Sequence, residues 1–444
     1  LPFYFFVSAI VCFIGGGYLF SIRLVSFIAY LLTAGLISYY AGKKGDPYPW
    51  FAGLIFLLIP LSVFYSQIGL IEPLLTLLIT AAVVFFDLSF ERKSVGLALL
   101  SGLALGLALI TKYTALPILG LLVIIFLSKS VVINRRKNLA KAIQLDLLSG
   151  LTCLLALAIF FSVFLFFRLK DPFLFNYQTR VIFGLEGGLG IAVFPFTRNL
   201  LPDWFNLQNL IYWFGWPFLI LGFFGFRQLF ARRQLIIFLA FSLLFYSVLA
   251  KAPFYIRYFY VLLPFFALFV YWGLITFLRK VPTLPLKILI IAIFTLSYLP
   301  LSYRAYQSAR HDLLEQATRS AGLPDKEFPG FVFSNYWPNI LGHIAGSEKT
   351  SWLATNQREV SAYYSAAEAD SFTLLKKYGG VVFLENLYSK EIANPPARAE
   401  AVERLRISRQ PEAVVFDESP NFPYYPEEVK NSVEIYLIKK GDSL

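Results

Sequence analysis

One carboxylate, Glu72, stands between two long apolar runs in the segment 66–75 (SQIGLIEPLL). Acidic residues are scarce in this part of the chain. The first 311 positions hold eight of them, at Asp46, Glu72, Asp87, Glu91, Asp146, Asp171, Glu186 and Asp203. An ionisable group at the edge of an apolar segment is costly unless something compensates it, so it marks a candidate functional site. A carboxylate there can orient a hydroxyl group or hold a divalent cation.

Two cations have comparable positions at the ends of apolar runs. Lys112 closes the segment 102–112 (GLALGLALITK), and Arg257 lies in the segment 251–258 (KAPFYIRY) between Tyr255 and Tyr258. Arginine offers paired hydrogen bonds and lysine a point charge, which together suit a phosphate group. The sequence therefore predicts a phosphate-binding set of Lys112, Arg257, Tyr255 and Tyr258, with Glu72 as an auxiliary residue.

Each of these residues also has a purely structural interpretation. Glu72 precedes Pro73 and could complement the start of a helix, and Lys112 could be a dipole partner at the end of one. Arg257 could anchor a helix at the membrane interface, and Arg23 fits a topology anchor better than a site residue. The residues themselves leave these alternatives open.

The elements that would position these side chains are membrane helices. Runs of about 17–25 apolar residues, each long enough to cross a bilayer, recur from Leu1 to Leu301. The candidate spans are 23–42, 48–66, 73–90, 94–111, 113–128, 145–167, 210–226, 235–250, 257–278 and 286–302. We therefore predict an all-α polytopic membrane domain of about ten helices over residues 1–303.

Charge divides the connections between these spans into two sets. One set is short and basic, with Lys43, Lys44, Arg92, Lys93, the run 129–141, Arg227, Arg232, Arg233, Arg279, Lys280 and Lys287. The positive-inside rule places this set in the cytoplasm. The alternate connections, which carry Glu72, Lys112 and Arg257, then face outward. This predicts a multi-pass protein of the plasma (cytoplasmic) membrane with its candidate site on the outer side.

Composition excludes several other classes. Of the 444 residues, 58% are hydrophobic and the net charge is +12. The first 311 positions hold 25 Lys and Arg against 8 Asp and Glu, or +17, and residues 312–444 hold 14 against 19, or −5. This excess fits lipid headgroups and membrane topology, and we expect no nucleic-acid partner. Cys12 and Cys153 lie in apolar runs as packing residues, and His311 and His343 lack the spacing of metal ligands.

Residues 304–444 differ in character and predict a small extracytoplasmic α/β domain. Short β-type runs at 331–333, 381–384 and 433–438 alternate with expected helices at 304–321, 361–378 and 398–407. At the other end, Leu1 opens inside an apolar run and the chain holds no Met, which predicts a missing N-terminal part. Residues 1–20 are expected either to cross the membrane or to lie in its outer leaflet.

Several short motifs, in order, resemble those of the polytopic GT-C glycosyltransferases, which include protein O-mannosyltransferases and the aminoarabinose transferases of lipid A. The matching segments are 1–5 (LPFYF), 22–26 (IRLVS), 72–74 (EPL), 102–112, 171–172 (DP) and 257–264. The first is similar to the end of a Pro-Pro-Leu-Tyr-Tyr element, and 102–112 to a glycine-rich signature that ends in Thr-Lys.

The resemblance implies transfer of a sugar from a polyprenyl-phosphate donor to a glycan, lipid or protein acceptor on the outer face, with inversion. It also implies a general base, an Asp in a first outer loop that would lie upstream of Leu1, so that no catalytic residue is expected within the chain. Whether a divalent cation takes part is open, and Glu72 is the candidate ligand if one does. The rival predictions are a transporter or flippase of lipid-linked saccharides and a non-catalytic membrane scaffold.

Overall fold

The computed structural model describes residues 2–14, 18–112, 115, 118, 139–170, 214–217, 221 and 260–310, together with five strands between positions 331 and 438. The chain divides into two compact units, residues 1–309 and 310–444. Each unit is described by itself below.

The described part of the first unit is helical. Its helices are α1 (Pro2–Phe13), α2 (Tyr18–Lys43), α3 (Trp50–Leu58), α4 (Pro60–Gln67), α5 (Glu72–Arg92), α6 (Val95–Thr111), α7 (Leu139–Lys170), α8 (Leu263–Arg279) and α9 (Leu284–Arg310). Five stretches are long and apolar enough to cross a membrane, and the bent pair α3–α4 raises the number to six. The prediction of a multi-pass helical membrane protein is thus confirmed. The predicted spans 113–128, 210–226 and 235–250 lie almost entirely outside the described residues, so the number ten stays a prediction.

Helices α5 and α6 form an antiparallel hairpin with a very short connection. Lys93 ends α5 in the left-handed conformation (φ 52°), and the Ser94 side chain caps α6 by accepting a hydrogen bond from the Leu97 amide at 3.3 Å. The Ser101 hydroxyl then donates to the Ala82 carbonyl at 2.7 Å between the two helices. Because the hairpin is tight, the start of α5 and the end of α6 come to the same end of the bundle.

Small residues on α6 allow α7 to pack closely against it. A Cβ atom at Gly102 would lie 2.7 Å from the Thr152 carbonyl oxygen, and one at Gly106 would lie 2.8 Å from Ile159 Cβ. The Thr152 hydroxyl donates to the Ala98 carbonyl at 2.9 Å across the same contact. Close approach of this kind holds helices together where lipid removes the hydrophobic driving force.

The predicted span 48–66 is broken rather than continuous. Helices α3 and α4 meet at an angle of 72°, because Pro60 opens α4 and leaves Ile59 in an extended conformation (φ −64°, ψ 122°). A break frees the carbonyls of the preceding turn, which cannot find water in a membrane. Hydroxyl groups donate hydrogen bonds to these carbonyls instead. The Tyr30 hydroxyl donates to the Leu57 carbonyl (2.5 Å) and the Ser302 hydroxyl to the Leu58 carbonyl (2.5 Å). The Ser62 hydroxyl lies within hydrogen-bonding distance of the Phe56 and Ile59 carbonyls.

Two of the basic connections predicted to share one side, those at 43–44 and 92–93, lie at the same end of the helices. Lys44, just after α2, forms an ion pair with Asp87 near the end of α5 at 2.5 Å, and it also pairs with Glu91. The Tyr40 hydroxyl donates to the same Asp87 oxygen at 3.0 Å. The loop that follows α2 is tied to α8 as well, because the Trp272 indole donates to Asp46 at 2.9 Å.

The second unit contains a five-stranded mixed sheet. Its strands are β1 (Phe331–Ser334), β2 (Thr350–Trp352), β3 (Gly380–Glu385), β4 (Glu403–Ser408) and β5 (Ser432–Ile438), in the order β2-β1-β3-β5-β4. Strand β1 runs parallel to β2 and β3, whereas β5 is antiparallel to β3 and β4.

The three predicted strand runs are confirmed, and one predicted helix is wrong. The segment 398–407 contains strand β4, whose six residues pair with β5 from Glu403 opposite Leu437 to Ser408 opposite Ser432. From Arg404 to Ser408 (RLRIS) polar and apolar residues alternate, which is the pattern of a strand. The expected helix 361–378 lies outside the described residues, so the α/β class of this unit stays a prediction.

Candidate functional site

Glu72 and Lys112, two of the residues singled out from the sequence, form a buried ion pair. Lys112 Nζ lies 2.6 Å from Glu72 Oε1, and the two side chains are 12% and 2% exposed. Glu72 opens α5 beside Pro73, and Lys112 leaves α6 in an extended conformation directly after Thr111. Since each charge offsets part of the cost of burying the other, the pair is more than two independent helix-end charges.

The loop before Glu72 is fixed by side chains from α1 and α2. The Tyr4 hydroxyl lies 2.7 Å from the Gly69 carbonyl oxygen, and Ser26 Oγ donates to the Leu70 carbonyl at 2.7 Å. Gly69 has a positive φ of 72°, and a Cβ there would lie 2.9 Å from Ile22 Cγ1. Only glycine meets both conditions without strain. The loop therefore delivers Glu72 to a defined place.

Arg23 lies against the same loop. Its Cγ atom would be 3.3 Å from a Cβ at Gly69, and the residue is half-buried. The sequence favoured a topology anchor for Arg23, and this position suits such an anchor. The same position makes Arg23 a neighbour of the segment that carries Glu72, which adds a cation to this end of the bundle.

Aromatic side chains pack together at the start of the span that continues into α8. Tyr260 is wholly buried, and its ring meets the edges of Tyr65 (centroids 5.6 Å apart) and Phe56 (6.4 Å). These ring contacts join the start of the α8 span to the broken span α3–α4.

The remaining site predictions fall on parts of the chain that the structure does not describe. Arg257, Tyr255 and Tyr258 lie outside the described residues and stay predictions. The same holds for the other candidate charges of the outer connections, Asp171, Glu186, Asp203 and Lys251, and for His311 and His343.

The described residues do not fit a divalent-cation site. No group of three or more His, Cys, Asp and Glu side chains comes together among them. Glu72, the candidate ligand, instead directs Oε1 to the ammonium of Lys112. A cation beside a carboxylate opposes the approach of a second one, so we derive no step through a metal at this position.

The fold and this buried pair define a polytopic helical membrane protein with an ionic site at one end of its bundle. Residues 2–169 match the family described as Dolichyl-phosphate-mannose-protein mannosyltransferase (PMT), which covers less than half of the chain. No curated protein matches the chain significantly.

Solved structures extend the likeness beyond that segment. The apo structure of ArnT from Cupriavidus metallidurans aligns with a TM-score of 0.66 at 13% identity, over 98% of this chain and 87% of ArnT. The structure of the same protein bound to undecaprenyl phosphate aligns with a TM-score of 0.62 at 14% identity, over 100% of this chain and 89% of ArnT. The oligosaccharyltransferase AglB from Archaeoglobus fulgidus, in complex with an inhibitory peptide and a dolichol-phosphate, aligns with a TM-score of 0.52 at 14% identity, over 88% of this chain and 62% of AglB.

These comparisons confirm the predicted resemblance to the GT-C glycosyltransferases. The solved structures show the shared fold, and the family match supports the resemblance over residues 2–169.

Several residues of the site were not predicted to belong to it. Tyr4, Ser26 and Gly69 lie in the segments 1–5, 22–26 and 66–75, but the sequence assigned no role to any of the three. The lone glycine ahead of Glu72-Pro73 is a turn signal that could have indicated the fixed loop. Tyr260 carries no such signal, because one tyrosine among 26 is not distinguished by its sequence context.

Proposed function

We propose that the chain is a membrane glycosyltransferase that moves a sugar from a polyprenyl-phosphate donor to an acceptor on the outer face of the membrane, with inversion at the anomeric carbon. In this proposal the site at the Glu72–Lys112 end of the bundle receives the donor phosphate. Residues 1–303 are the transferase domain of a plasma-membrane protein, and residues 304–444 are its extracytoplasmic domain.

The observation that carries the proposal is the buried pair of Lys112 and Glu72, 2.6 Å apart, at the end of the bundle where α5 begins and α6 ends. Lys112 is fixed at a helix end, nearly removed from water and oriented by a carboxylate. Arg257 precedes the buried Tyr260 by three residues in the sequence, and we propose it as the second cation of the same phosphate site. Fixed cations of this kind bind an anionic headgroup most strongly where water is scarce.

The chemistry assigns a different task to each charge. A glycosyl phosphate carries a good leaving group, so catalysis needs orientation, a base and stabilisation of the departing phosphate charge. Lys112 and Arg257 supply the last of these. Glu72 holds Lys112 in position, and because its Oε1 is engaged by the ammonium, we do not assign it the role of base.

The similar proteins support this choice of donor. The matched family is named for a dolichyl-phosphate-mannose substrate, and one ArnT structure holds undecaprenyl phosphate. AglB was solved with a dolichol-phosphate and a peptide. We propose a lipid-linked phosphate donor for this chain on the same grounds, with a glycan, lipid or protein as acceptor.

The proposal is tested by sugar transfer in membranes that contain polyprenyl-phosphate donors. Lys112→Gln and Arg257→Gln variants should lose transfer when the rates are compared at equal amounts of folded protein in the membrane. Lys44→Gln is the matched control, since it breaks a half-buried ion pair at the opposite end of the helices. Transfer at wild-type rates in both test variants would contradict the phosphate site.

The broken span α3–α4 is the one observation that favours a transporter, because discontinuous helices form substrate sites in such proteins. In those sites the free carbonyls of the break coordinate the ion or substrate. Here hydroxyl groups of Tyr30 and Ser302 occupy the Leu57 and Leu58 carbonyls, and Ser62 lies against the rest. The break is therefore closed to a transported ion, and the glycosyltransferase is the better proposal.

A further inference from the structure

The loop between α2 and α3 holds an exposed tyrosine in a strained backbone conformation. Tyr48 has a positive φ of 51° and is 57% exposed. A bulky residue in the left-handed region is a true outlier, and the following Pro49 restricts Tyr48 further toward extended conformations. Strain of this kind persists where the surroundings impose it, and it is concentrated at sites of function.

Contacts with α8 impose this conformation from the buried side of the loop. The Tyr271 hydroxyl donates to the Pro47 carbonyl, and the Trp272 indole donates to Asp46 at 2.9 Å. Two consecutive residues of one helix therefore hold the two loop residues that precede Tyr48. The loop is fixed, and it presents the tyrosine at the surface.

A second exposed ring and a lysine accompany this tyrosine. Trp50 opens α3 two residues later and is 58% exposed. Pro49, between the two rings, lies against the end of α2, since a Cβ atom at Gly42 would be 3.5 Å from its ring atoms. The exposed Lys43 follows Gly42, and its ammonium lies 5.2 Å from the centroid of the Tyr39 ring.

The charges at this end of the helices are divided between inner and outer positions. Lys44 pairs with both Asp87 and Glu91 and so joins the ends of α2 and α5, and Asp46 is held by Trp272. Three exposed cations form no ion pair within the part of the chain that the structure describes: Lys43, Arg92 and Lys93. The outward-facing charge here is therefore cationic.

Cations next to exposed tyrosine and tryptophan rings fit the headgroup region of an anionic phospholipid. The cations attract the phosphate, and the amphipathic rings occupy the level between the headgroups and the acyl chains. A small soluble anion would use the cations alone and would give the rings no contact. In a multi-pass membrane protein, the ends of the helices also lie at the depth of the headgroups.

We propose that this surface binds an anionic phospholipid of the leaflet at this end of the helices. Its members, called the lipid patch below, are Lys43, Tyr48, Trp50, Arg92 and Lys93. The fixed loop orients the Tyr48 ring before the lipid arrives. The patch lies at the end of α5 opposite the Glu72–Lys112 pair, so the inference does not depend on the proposed function.

The test is the binding of dioleoyl phosphatidylglycerol, with the zwitterionic dioleoyl phosphatidylcholine for comparison, to the delipidated full chain in detergent, measured by native mass spectrometry. Wild type should prefer phosphatidylglycerol. The double variant Lys43→Gln with Arg92→Gln should bind phosphatidylglycerol at least roughly ten-fold more weakly, because each cation near a headgroup adds to the attraction of an anionic lipid. Phosphatidylcholine binding should change little.

Arg168→Gln with Lys170→Gln is the matched control. It removes the same charge from exposed positions in the last turn of another helix, α7. This variant should keep the phosphatidylglycerol affinity of wild type. Equal losses in the two double variants would contradict the lipid patch, since overall charge would then explain the binding. Wild-type affinity in Lys43→Gln with Arg92→Gln, or no preference for phosphatidylglycerol in wild type, would contradict it as well.

Tyr48→Gly separates lipid binding from a structural role of the ring. Glycine adopts a positive φ without strain, so the lipid-free melting temperature of this variant should be at or above that of wild type. The rise in melting temperature that phosphatidylglycerol produces in wild type should be smaller in the variant, because part of the lipid contact is lost. A lower lipid-free melting temperature, or an undiminished rise with phosphatidylglycerol, would overturn the role of Tyr48 in the lipid patch.

Discussion

Lys112 Nζ lies 2.6 Å from Oε1 of Glu72, and the carboxylate side chain is only 2% exposed. This pairing changes how a substitution of either residue must be interpreted. Removal of the lysine leaves a buried carboxylate without that ammonium, which destabilises a protein by about 3–5 kcal/mol. A loss of activity in Lys112→Ala could then reflect unfolding as well as a missing phosphate contact.

A double substitution separates these two effects. Glu72→Gln combined with Lys112→Gln removes both charges, so we expect its melting temperature to exceed that of Lys112→Gln alone. Its affinity for undecaprenyl phosphate should remain as low as that of the single variant, because the cation is still absent. Thermal unfolding and lipid binding measured on the same samples check this prediction. Recovery of phosphate affinity in the double variant would contradict a direct role of Lys112.

Gly69 should be intolerant of any side chain. Its φ of 72° disfavours an L-residue, and a Cβ would lie 2.9 Å from Ile22 Cγ1. We expect Gly69→Ala to cost about 1–3 kcal/mol of stability and to reduce transfer, because the loop that delivers Glu72 must move. Gly35→Ala is the control: no atom lies within 4 Å of its Cβ, so it should be neutral or stabilising. Equal melting temperatures for the two variants would show that the loop is not fixed as described.

The contact of α6 with α7 should depend on Gly106. A Cβ there would meet Ile159 at 2.7–2.8 Å, whereas one at Gly150 of α7 has open space around it. Gly106→Val should lower the melting temperature and impair transfer, because α6 carries Lys112 at its end. Gly150→Val should leave transfer nearly unchanged. A Gly106→Val variant with full stability and transfer would argue against close α6–α7 packing.

The broken span should be weakened by removal of the hydroxyls that bind its carbonyls. Ser302→Ala leaves the Leu58 carbonyl without its donor, and such a loss typically costs about 1–3 kcal/mol. Ser297→Ala is the control on the same helix, since Ser297 donates only to a carbonyl of its own turn. Thermal unfolding should rank Ser302→Ala clearly below Ser297→Ala. The opposite ranking would mean that the break does not rely on α9.

Much of the fold and part of the site were predictable from the sequence. Charge alternation put Glu72 and Lys112 on one side, and the tight α5–α6 hairpin brings them into contact. Pro60 stood inside an apolar run, and its effect on the helix could have been expected. The segment of strand β4 was predicted as a helix because a short charged segment is compatible with either structure. Its pairing with β5 determines that it is a strand.

The place of Tyr260 could not be predicted. Its neighbours Tyr65 and Phe56 are about two hundred positions away in the sequence, and the contact depends on how α8 packs against the broken span. Local pattern contains no information on such a pairing. Arg257, by contrast, was selected by residue type and flanking rings, and its contacts remain a prediction.

The most direct test of the central claim is a structure of the full chain with undecaprenyl phosphate bound in a lipid bilayer. The phosphate should lie within hydrogen-bonding distance of Lys112 Nζ, at the end of the bundle where α5 begins. A phosphate bound elsewhere, with the Glu72–Lys112 pair closed and untouched, would contradict the account.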